Sequence, residues 1–510
     1  MHRTVVLMIL DGWGVGPAND ANPIHVVNPQ NFKYLAENYP VTSLQASGIS
    51  VGLPWSETGN SEVGHLTLGA GKTIYQYYPK IMMAIQDGTF FENEVLKSAF
   101  AHARKNNSGV NLVGLLTKAN THASLEHLQA LLLMAEKEQI SNVKLHLFGD
   151  AIDSPPKSIL EMLESLPAEK LATLTGRYYA MDRNENWSLT QKTYECLTGK
   201  SGGAVPNLAE YLKKFFERNA SEEFLPPLRV DPAKAISSND AVIFFNFRED
   251  SIRQTVEPFI LPNFDRFARQ LPENLYVATL TRYAETYPVP FAFAGDKVDR
   301  PLGLILSELN KTQLRLAETY KYAHVTYFFN GYHEEPYKNE YRVLVPSLNI
   351  THPDEHPELM ASAITDRLLE ALSNQAFDFI LVNYSNPDTM GHSGNYDACL
   401  KAVGVIDQEL GRVIKAVEQT DTVLLITSDH GNIEQELNPM TGVVETQHQN
   451  NPVPFYLVAQ EFKGRKFPNQ LDLRNDTLGL LADVAPTVLG LMQIPKPQDM
   501  SGDNLLRHLL

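Results

Sequence analysis

The chain has 510 residues, enough for two to four domains with a substantial core. Its formal net charge of −17 disfavours a nucleic-acid partner, because a phosphate backbone needs a basic surface. Two cysteines are too few for a disulfide framework, and no apolar run approaches the roughly 20 residues of a membrane span. The apolar run near the N-terminus is too short for a secretory signal, so a cytoplasmic protein without a membrane partner is expected.

Apolar runs bounded by polar turns predict the strands of a parallel α/β fold. In chain order, the predicted strands are Val5–Leu10, Val110–Leu116, Val143–Phe148, Val242–Phe245, Tyr276–Leu280, Val325–Phe329, Phe377–Val382 and Val423–Ile426. The predicted helices are Leu125–Glu138, Leu208–Asn219, Leu359–Leu372 and Tyr396–Val417. Because strands and helices alternate along the chain, the sequence predicts parallel sheets that are covered by helices.

Two stretches have the composition of crossings between domains. Ile74–Lys80 contains tyrosine and proline, and Val289–Pro301 contains proline, glycine and aspartate. We therefore expect one discontinuous domain of residues 1–76 and 298–510, with residues 77–297 inserted as a second α/β domain. The active site is expected in the cleft between the two, since clefts between domains are favoured ligand sites.

Acidic and imidazole side chains follow three of the predicted strands, and open parallel sheets bind ligands at that edge. These residues are Asp11, Asp388 with His392, and Asp429 with His430. An aspartate after a strand is commonly only a helix cap, so each segment alone is weak evidence for a metal ligand. Together with His448 in a polar loop, the segments predict a divalent-metal site.

A glycine-punctuated segment, Thr58–His65, carries Ser61. It does not fit the Gly-x-Ser-x-Gly elbow of α/β-hydrolases, because an extra residue separates Ser61 from Gly64. A metal ion can replace the base of a catalytic triad, since coordination lowers the pKa of a hydroxyl. We therefore interpret Ser61 as a nucleophile, against the alternative of an ordinary polar loop.

The spacing of the glycines argues against two nucleotide-binding motifs. Gly12–Pro17 lacks the last glycine of the dinucleotide fingerprint, and Leu66 stands where a Walker loop ending in Gly71-Lys72-Thr73 requires glycine. Arginines instead accumulate in the expected inserted domain, at Arg177, Arg183 and Arg248. Because arginine suits bidentate recognition of carboxylate and phosphate, an anion site is predicted there, against the alternative of solvated surface arginines.

Five motifs together resemble those of the cofactor-independent phosphoglycerate mutases, which belong to the alkaline phosphatase superfamily. They are Asp-Gly-Trp-Gly from Asp11, Gly-Asn-Ser-Glu-Val-Gly-His around Ser61, Gly-Arg-Tyr-Tyr-Ala-Met-Asp-Arg from Gly176, Asn-Pro-Asp-x-x-Gly-His ending at His392, and Asp-His-Gly-Asn from Asp429. The resemblance implies an alkaline-phosphatase-like α/β domain of parallel strands, with a second α/β domain inserted. It also implies the glycolytic interconversion of 3-phosphoglycerate and 2-phosphoglycerate through a phosphoserine intermediate.

The same resemblance implies a role for each site residue. One divalent ion would be held by Asp388, His392 and His448, and a second by Asp11, Ser61, Asp429 and His430. Manganese is expected, without a bisphosphoglycerate cofactor. Ser61 would take the phosphoryl group in a monomeric enzyme acting on a small phosphorylated acid. Residues matching the family's substrate-binding positions are His122, Asp153, Arg177, Arg183, Arg248 and Lys321.

All departures from the family pattern lie on the substrate side. Ile152 and Ser251 stand where the family has arginines, and Arg253 is a candidate replacement for the second. Each charged hydrogen bond contributes roughly 1.5–3 kcal/mol, so their loss could weaken substrate handling about 100-fold. The alternative function is therefore a metal-dependent phosphatase, or a mutase for another small phosphorylated acid. A third alternative is a catalytically silent metal-binding protein.

Overall fold

A computed structural model describes residues 3–438, 440–465 and 472–510. The chain forms two compact units, one of Met1–Tyr75 with Asp296–Leu510 and one of Gln76–Gly295. We call them unit 1 and unit 2. Each unit has its own hydrophobic core and its own sheet. Within the described residues, no helix has both the length and the apolar character that a membrane crossing requires.

The described residues contain sixteen strands, divided equally between two sheets. They are β1 (Thr4–Leu10), β2 (Val41–Gln45), β3 (Val110–Leu116), β4 (Val143–Gly149), β5 (Leu171–Gly176), β6 (Gly203–Ala204), β7 (Leu228–Arg229), β8 (Ala241–Phe244), β9 (Tyr276–Thr281), β10 (Phe291–Phe293), β11 (Gln313–Glu318), β12 (Glu340–Val345), β13 (Phe379–Tyr384), β14 (Thr422–Thr427), β15 (Val453–Val458) and β16 (Gly479–Leu480).

Helices cover both sheets. The α-helices are α1 (Pro23–Val27), α2 (Gln30–Asn38), α3 (Ser61–Ala70), α4 (Tyr77–Asp87), α5 (Glu94–Asn106), α6 (Leu125–Lys137), α7 (Ile159–Glu164), α8 (Arg177–Ala180), α9 (Trp187–Leu197), α10 (Leu208–Glu217), α11 (Arg253–Ile260), α12 (Leu302–Glu308), α13 (Ala361–Asn374), α14 (Asn386–Gly391), α15 (Tyr396–Val417), α16 (Val484–Leu491) and α17 (Leu506–Leu509). A short π-helix spans His324–Phe328.

The sheet of unit 1 has the strand order β12-β11-β13-β1-β14-β15-β2-β16. Its first five strands are parallel, and β1 lies between β13 and β14, with Val6 opposite both Ile380 and Leu424. Every residue of these three strands is buried, as is typical of parallel strands that are covered on both faces. The carboxyl ends of β13, β1 and β14 therefore lie side by side at one edge of the sheet.

The sheet of unit 2 has the order β10-β9-β8-β3-β4-β5-β7-β6 and is parallel from β10 to β5. β7 pairs with β5 in antiparallel orientation, and β6 is parallel to β7. The predicted α/β class is confirmed, with two sheets made mostly of parallel strands.

The predicted strand Val325–Phe329 is wrong, since this segment lies in the π-helix and its end. Its β-branched and aromatic residues are typical of a strand. In the structure they lie on a helical turn instead. Val325, Thr326 and Phe329 form its buried side, whereas Tyr327 and Phe328 are only partly covered. Helical spacing of the buried positions thus outweighs the intrinsic preference of the residues.

Candidate active site

Ser61 is the first residue of α3, and its side chain is only 7% exposed. Asn60 caps the helix, since its side chain accepts a hydrogen bond from the backbone nitrogen of Val63. The hydroxyl oxygen of Ser61 lies 3.1 Å from Oδ1 of Asp11, 3.0 Å from Nε2 of His430 and 2.7 Å from Nζ of Lys321. A buried hydroxyl is thus surrounded by a carboxylate, an imidazole and an ammonium group.

Two glycines let α3 approach neighbouring backbone closely. A Cβ atom on Gly64 would lie 2.5 Å from the main-chain oxygen of Asp429. A Cβ atom on Gly69 would lie 2.0 Å from the main-chain oxygen of Phe329. Since both approaches are to backbone, no side-chain movement would relieve them, and the helix that carries Ser61 is fixed by direct contact.

Three carboxylates follow adjacent strands at their carboxyl ends, and that of Asp11 contacts Ser61. Asp11 directly follows β1, Asp388 lies in α14 after β13, and Asp429 lies two residues after β14. Lys321, which follows β11, donates hydrogen bonds from Nζ to Oδ1 of Asp11 at 2.6 Å and to Oδ2 of Asp388 at 2.7 Å. The structure therefore brings together side chains that lie more than 400 positions apart in the chain.

Charge pairing governs how these buried groups ionise. Burial alone opposes the charged form of Lys321, but the Asp11 and Asp388 carboxylates outweigh it and raise the lysine pKa. Burial likewise opposes ionisation of Asp388, yet the ammonium group of Lys321 holds its pKa well below the usual range. The carboxylates therefore remain negative at neutral pH, which is the state that can ligate a cation.

The imidazoles of His392 and His448 have the hydrogen-bonding pattern of metal ligands. Nδ1 of His392 lies 2.9 Å from the main-chain oxygen of Thr446, and Nδ1 of His448 lies 2.8 Å from that of Gly59. Each Nδ1 must therefore carry the hydrogen, which leaves each Nε2 with a lone pair. The two Nε2 atoms are 2.9 Å apart and lie 3.3 and 3.2 Å from Oδ1 of Asp388.

Oδ1 of Asp388 and the two Nε2 atoms thus converge as potential ligands, which suits a cation. Ligand atoms of Asp388, His392 and His448 lie within 4.8 Å of one another, as do those of Asp11, Asp388 and His430. Nitrogen and oxygen donors of this kind fit a borderline divalent ion. The first expected ligand set is one of these groups. In the other group Asp388 stands where Asp429 was expected, and Nε2 of His430 lies 3.7 Å from Oδ2 of Asp429.

A third group, of Asp11, His65 and Asp429, also brings ligand atoms within 4.8 Å of one another. His65 belongs to the Ser61 motif but was not predicted as a site residue, and neither was Asn383 in β13. His65 is fully buried four residues after Ser61, a spacing that puts both on one face of α3. That spacing could have indicated that His65 lies at the site, whereas nothing in the sequence indicated this for Asn383.

Five of the expected substrate-binding residues lie in unit 2, and Lys321 lies in unit 1 beside Ser61. Arg177 donates from Nη1 to Oδ1 of Asp150 at 2.6 Å and to Oδ2 of Asp153 at 2.7 Å. His122 lies beside this group, with Nε2 3.7 Å from Oδ2 of Asp153. Burial, together with the charge of Arg177, lowers the pKa of His122.

The remaining two arginines share one carboxylate. Arg183 and Arg248 both donate to Oδ2 of Asp250, at 3.1 and 3.2 Å. Nδ1 of His122 lies 3.6 Å from Oδ1 of the same residue. Asp150 and Asp250 were not predicted as site residues, and their role as partners of the arginines depends on side-chain geometry that the sequence does not display.

The two residues that replace family arginines, Ile152 and Ser251, and the candidate substitute Arg253 have distinct environments. Ile152 is 61% exposed, whereas Ser251 is buried and its hydroxyl donates to Oδ1 of Asp250 at 3.0 Å. Arg253 donates from Nε to the main-chain oxygen of Tyr283 at 2.7 Å and from Nη2 to Glu249 at 3.2 Å. That Arg253 takes over the role of the family arginine replaced by Ser251 stays a prediction.

Comparisons with known proteins place these residues in a wider context. A model of the Metalloenzyme superfamily matches residues 3–496. A 2,3-bisphosphoglycerate-independent phosphoglycerate mutase of Clostridium botulinum (strain Langeland / NCTC 10281 / Type F) is 40% identical over 517 residues, covering 99% of each chain. One from Thermomicrobium roseum is 41% identical over 519 residues, covering 98% of each. The crystal structure of a Leishmania mexicana phosphoglycerate mutase at low cobalt concentration covers 99% of this chain and 98% of its own, with 26% identity and a TM-score of 0.54.

Proposed function

The chain belongs to the family of 2,3-bisphosphoglycerate-independent phosphoglycerate mutases, and we propose that it interconverts 3-phosphoglycerate and 2-phosphoglycerate through a phosphoserine at Ser61. The observation that supports this most directly is the environment of the Ser61 hydroxyl. It is within 3.1 Å of a carboxylate, an imidazole nitrogen and an ammonium group. Reversible phosphoryl transfer needs an activated oxygen and cations that neutralise the phosphoryl group.

We assign two divalent ions to the candidate centre in unit 1, with manganese as the expected metal. The first set of ligands is Asp388, His392 and His448, and the second is Asp11, Ser61, Asp429 and His430. When bound, such ions lower the pKa of a coordinated hydroxyl and neutralise charge on the phosphoryl oxygens.

Lys321 and α3 supply the remaining positive charge. The ammonium group of Lys321 lies 2.7 Å from the Ser61 oxygen, so it stabilises negative charge there and can contact a phosphoryl oxygen. Ser61 opens α3, where the amino end of the helix dipole favours an anion. Both features stabilise the phosphorylated form of Ser61 relative to its free hydroxyl.

The arginines of unit 2 are proposed to hold the acid end of the substrate. Arg177, Arg183 and Arg248 present guanidinium groups beside His122, which can hydrogen-bond a hydroxyl or carboxylate oxygen. Retention of glycerate while it reorients requires such contacts, because a released acid would leave the phosphoserine to water. We further propose that the enzyme is cytoplasmic and monomeric, and that this small phosphorylated acid is its substrate.

A single assay tests the proposal. Protein loaded with Mn²⁺ is given 3-phosphoglycerate, and both 2-phosphoglycerate and free phosphate are followed, with phosphoserine at Ser61 detected by mass spectrometry. We expect 2-phosphoglycerate with little free phosphate, and loss of both after a chelator removes the metal. Free phosphate without 2-phosphoglycerate would instead favour a phosphatase. This second function is worth testing because Arg177, Arg183 and Arg248 each already pair with a carboxylate of the protein.

A further inference from the structure

His65 is buried beside the candidate metal centre, but its hydrogen bonds differ from those of the candidate ligands. In His392 and His448, Nδ1 contacts a backbone oxygen and Nε2 faces the Asp388 carboxylate. In His65, by contrast, Nε2 lies 3.0 Å from the amide nitrogen of Asn383. A ring nitrogen that accepts a hydrogen bond from an amide has no lone pair left for a metal ion.

The amide of Asn383 determines which nitrogen of His65 carries the hydrogen. Its Nδ2 lies 2.8 Å from Oδ2 of Asp11 and 3.0 Å from Nε2 of His65, so its two hydrogens go to these two acceptors. The reversed amide would set a carbonyl oxygen against the Asp11 carboxylate, which is electrostatically unfavourable. Nε2 of His65 is therefore an acceptor, and Nδ1 carries the hydrogen.

The Nδ1–H group of His65 faces two oxygens. One is the main-chain oxygen of Ser61 at 2.9 Å, and the other is Oδ2 of Asp429 at 3.0 Å. Within the described residues, this Asp429 oxygen is buried and has no hydrogen bond of acceptable geometry. Attraction to the shared N–H group therefore contributes to the orientation of the Asp429 carboxylate.

We propose that His65 and Asn383 are positioning residues that orient the carboxylates of Asp11 and Asp429 about Ser61. The contacts run without a break from Asp11 through Asn383 and His65 to Ser61 and Asp429. They link β13 and α3 to the segments that follow β1 and β14. This inference rests on the proposed function, since it takes Asp11 and Asp429 as metal ligands.

Three substitutions of His65 separate its two contacts. The amide nitrogen of asparagine reaches the position of Nδ1, so His65→Asn keeps the donor to Ser61 and Asp429. Glutamine reaches the position of Nε2, so His65→Gln keeps only the contact with Asn383. His65→Ala loses both. Loss of a residue that orients a metal ligand typically lowers metal affinity or activity by about 10- to 100-fold.

The readouts are Mn²⁺ affinity, from the paramagnetic resonance signal of free Mn²⁺ during titration, and kcat and KM for 3-phosphoglycerate. For His65→Ala and His65→Gln we expect a dissociation constant for Mn²⁺ about 10- to 100-fold higher and a lower kcat at saturating Mn²⁺, with KM nearly unchanged. His65→Asn should recover most of the Mn²⁺ affinity, because the donor is restored. A purely structural role would not distinguish the asparagine variant from the glutamine variant.

Thr67→Ala is the matched control, since Thr67 is buried on the same helix and its hydroxyl donates only locally, to the main-chain oxygen of Val63 at 2.8 Å. It should bind Mn²⁺ like the unmodified protein. Should His65→Ala fail to fold, Asn383→Leu removes the amide from the same network while keeping a similar volume, and a similar loss of Mn²⁺ affinity is expected.

Two results would overturn the inference while leaving the proposed function intact. One is an unmodified protein that binds Mn²⁺ and forms phosphoserine, together with His65→Ala and Asn383→Leu variants that match it within about twofold. The other is an equal loss of affinity in Thr67→Ala, which would reduce the effect to packing of α3. An unmodified protein that neither binds Mn²⁺ nor becomes phosphorylated would refute the proposed function itself.

Discussion

The clusters of ionisable side chains in the two units are balanced differently. In unit 1, the carboxylates of Asp11, Asp388 and Asp429 surround a single ammonium group, that of Lys321. In unit 2, three carboxylates and three guanidinium groups pair with one another. These are Asp150, Asp153 and Asp250 with Arg177, Arg183 and Arg248.

This difference in charge balance indicates which ligands each cluster binds and how tightly. The excess of carboxylates and free imidazole lone pairs in unit 1 stabilises added cations. In unit 2 the arginines already have partners, so an anion must compete with a carboxylate for each guanidinium group. We therefore expect high affinity for metal ions in unit 1 and only moderate affinity for the acid end of a substrate in unit 2.

Removal of the nucleophile should have the largest effect. Ser61→Ala is expected to lower turnover by roughly 10⁴-fold or more, because the oxygen that accepts the phosphoryl group is lost. Mn²⁺ binding should persist, since Asp11, Asp429 and His430 remain. Measurement of 2-phosphoglycerate formation checks this, with Ser50→Ala as a control, since Ser50 hydrogen-bonds the main chain of Ser47. Substantial turnover in the alanine variant would exclude Ser61 as the nucleophile.

A substitution in unit 2 should weaken substrate binding and leave metal binding unchanged. Arg177→Ala is expected to raise KM for 3-phosphoglycerate about 10- to 100-fold, since a charged hydrogen bond contributes roughly 1.5–3 kcal/mol. The dissociation constant for Mn²⁺ should stay the same. Arg229→Ala is the matched control, because its guanidinium contacts the main-chain oxygens of Gly199 and Gly202. An altered Mn²⁺ affinity in Arg177→Ala would contradict the separation of the two roles.

Buried histidines in the two units should respond oppositely to pH. Burial lowers the pKa of His127 to about 3, with its ring beside those of Tyr78 and Phe247. In His430, burial acts the same way, but the carboxylates of Asp429 and Asp11 outweigh it and raise the pKa to about 9. His127 thus favours the folded state above pH 6.5, whereas metal-free His430 favours it below that value and loses this contribution as pH rises toward 9.

For His127, the unfolded state binds one more proton between pH 6.5 and about 3. The free energy of unfolding of unit 2 should therefore fall as the pH is lowered, by up to about 1.4 kcal/mol per pH unit from this residue. Urea denaturation at several pH values should show a shallower decline in His127→Leu than in the unmodified protein. The less buried His102 provides the control in His102→Leu, and equal slopes in all three proteins would refute the assignment.

An added cation in unit 2 should have the smallest effect. Ile152 is exposed and lies beside the carboxylates of Asp150 and Asp153 in sequence. Ile152→Arg is expected to lower KM for 3-phosphoglycerate by up to about fivefold, since exposed charge pairs contribute less than roughly 1 kcal/mol. Ile152→Met changes the side chain without adding charge and should leave KM unaltered. Equal KM values in both variants would show that charge balance in unit 2 does not limit binding.

Much of the fold could be predicted because apolar runs are reliable where a strand is buried on both faces. The predicted bounds of β3, Val110–Leu116, match the structure. Those of β9 differ by one residue at one end, and those of β14 by one residue at each end. The prediction at Val325–Phe329 is wrong because composition alone cannot distinguish a strand from a buried helical turn.

The proximity of Asp11, Asp388 and Asp429 could be expected because each follows a predicted parallel strand, and such strands place ligands at their carboxyl ends. The hydrogen-bond network through Asn383 could not be predicted. It depends on which face of β13 carries the amide and on the rotamer of His65, and neither is visible in the chain. The pairing of Asp250 with two arginines depends on side-chain geometry in the same way.

The close approach of α3 to backbone at Gly64 and Gly69 has a consequence for how this protein can diversify. Any larger residue at either position would push the helix away from Asp429 or Phe329 and carry Ser61 with it. Exposed positions such as Ile152 carry no such constraint. Laboratory evolution toward a new phosphorylated substrate should therefore accumulate substitutions in unit 2, while the sequence of α3 stays unchanged.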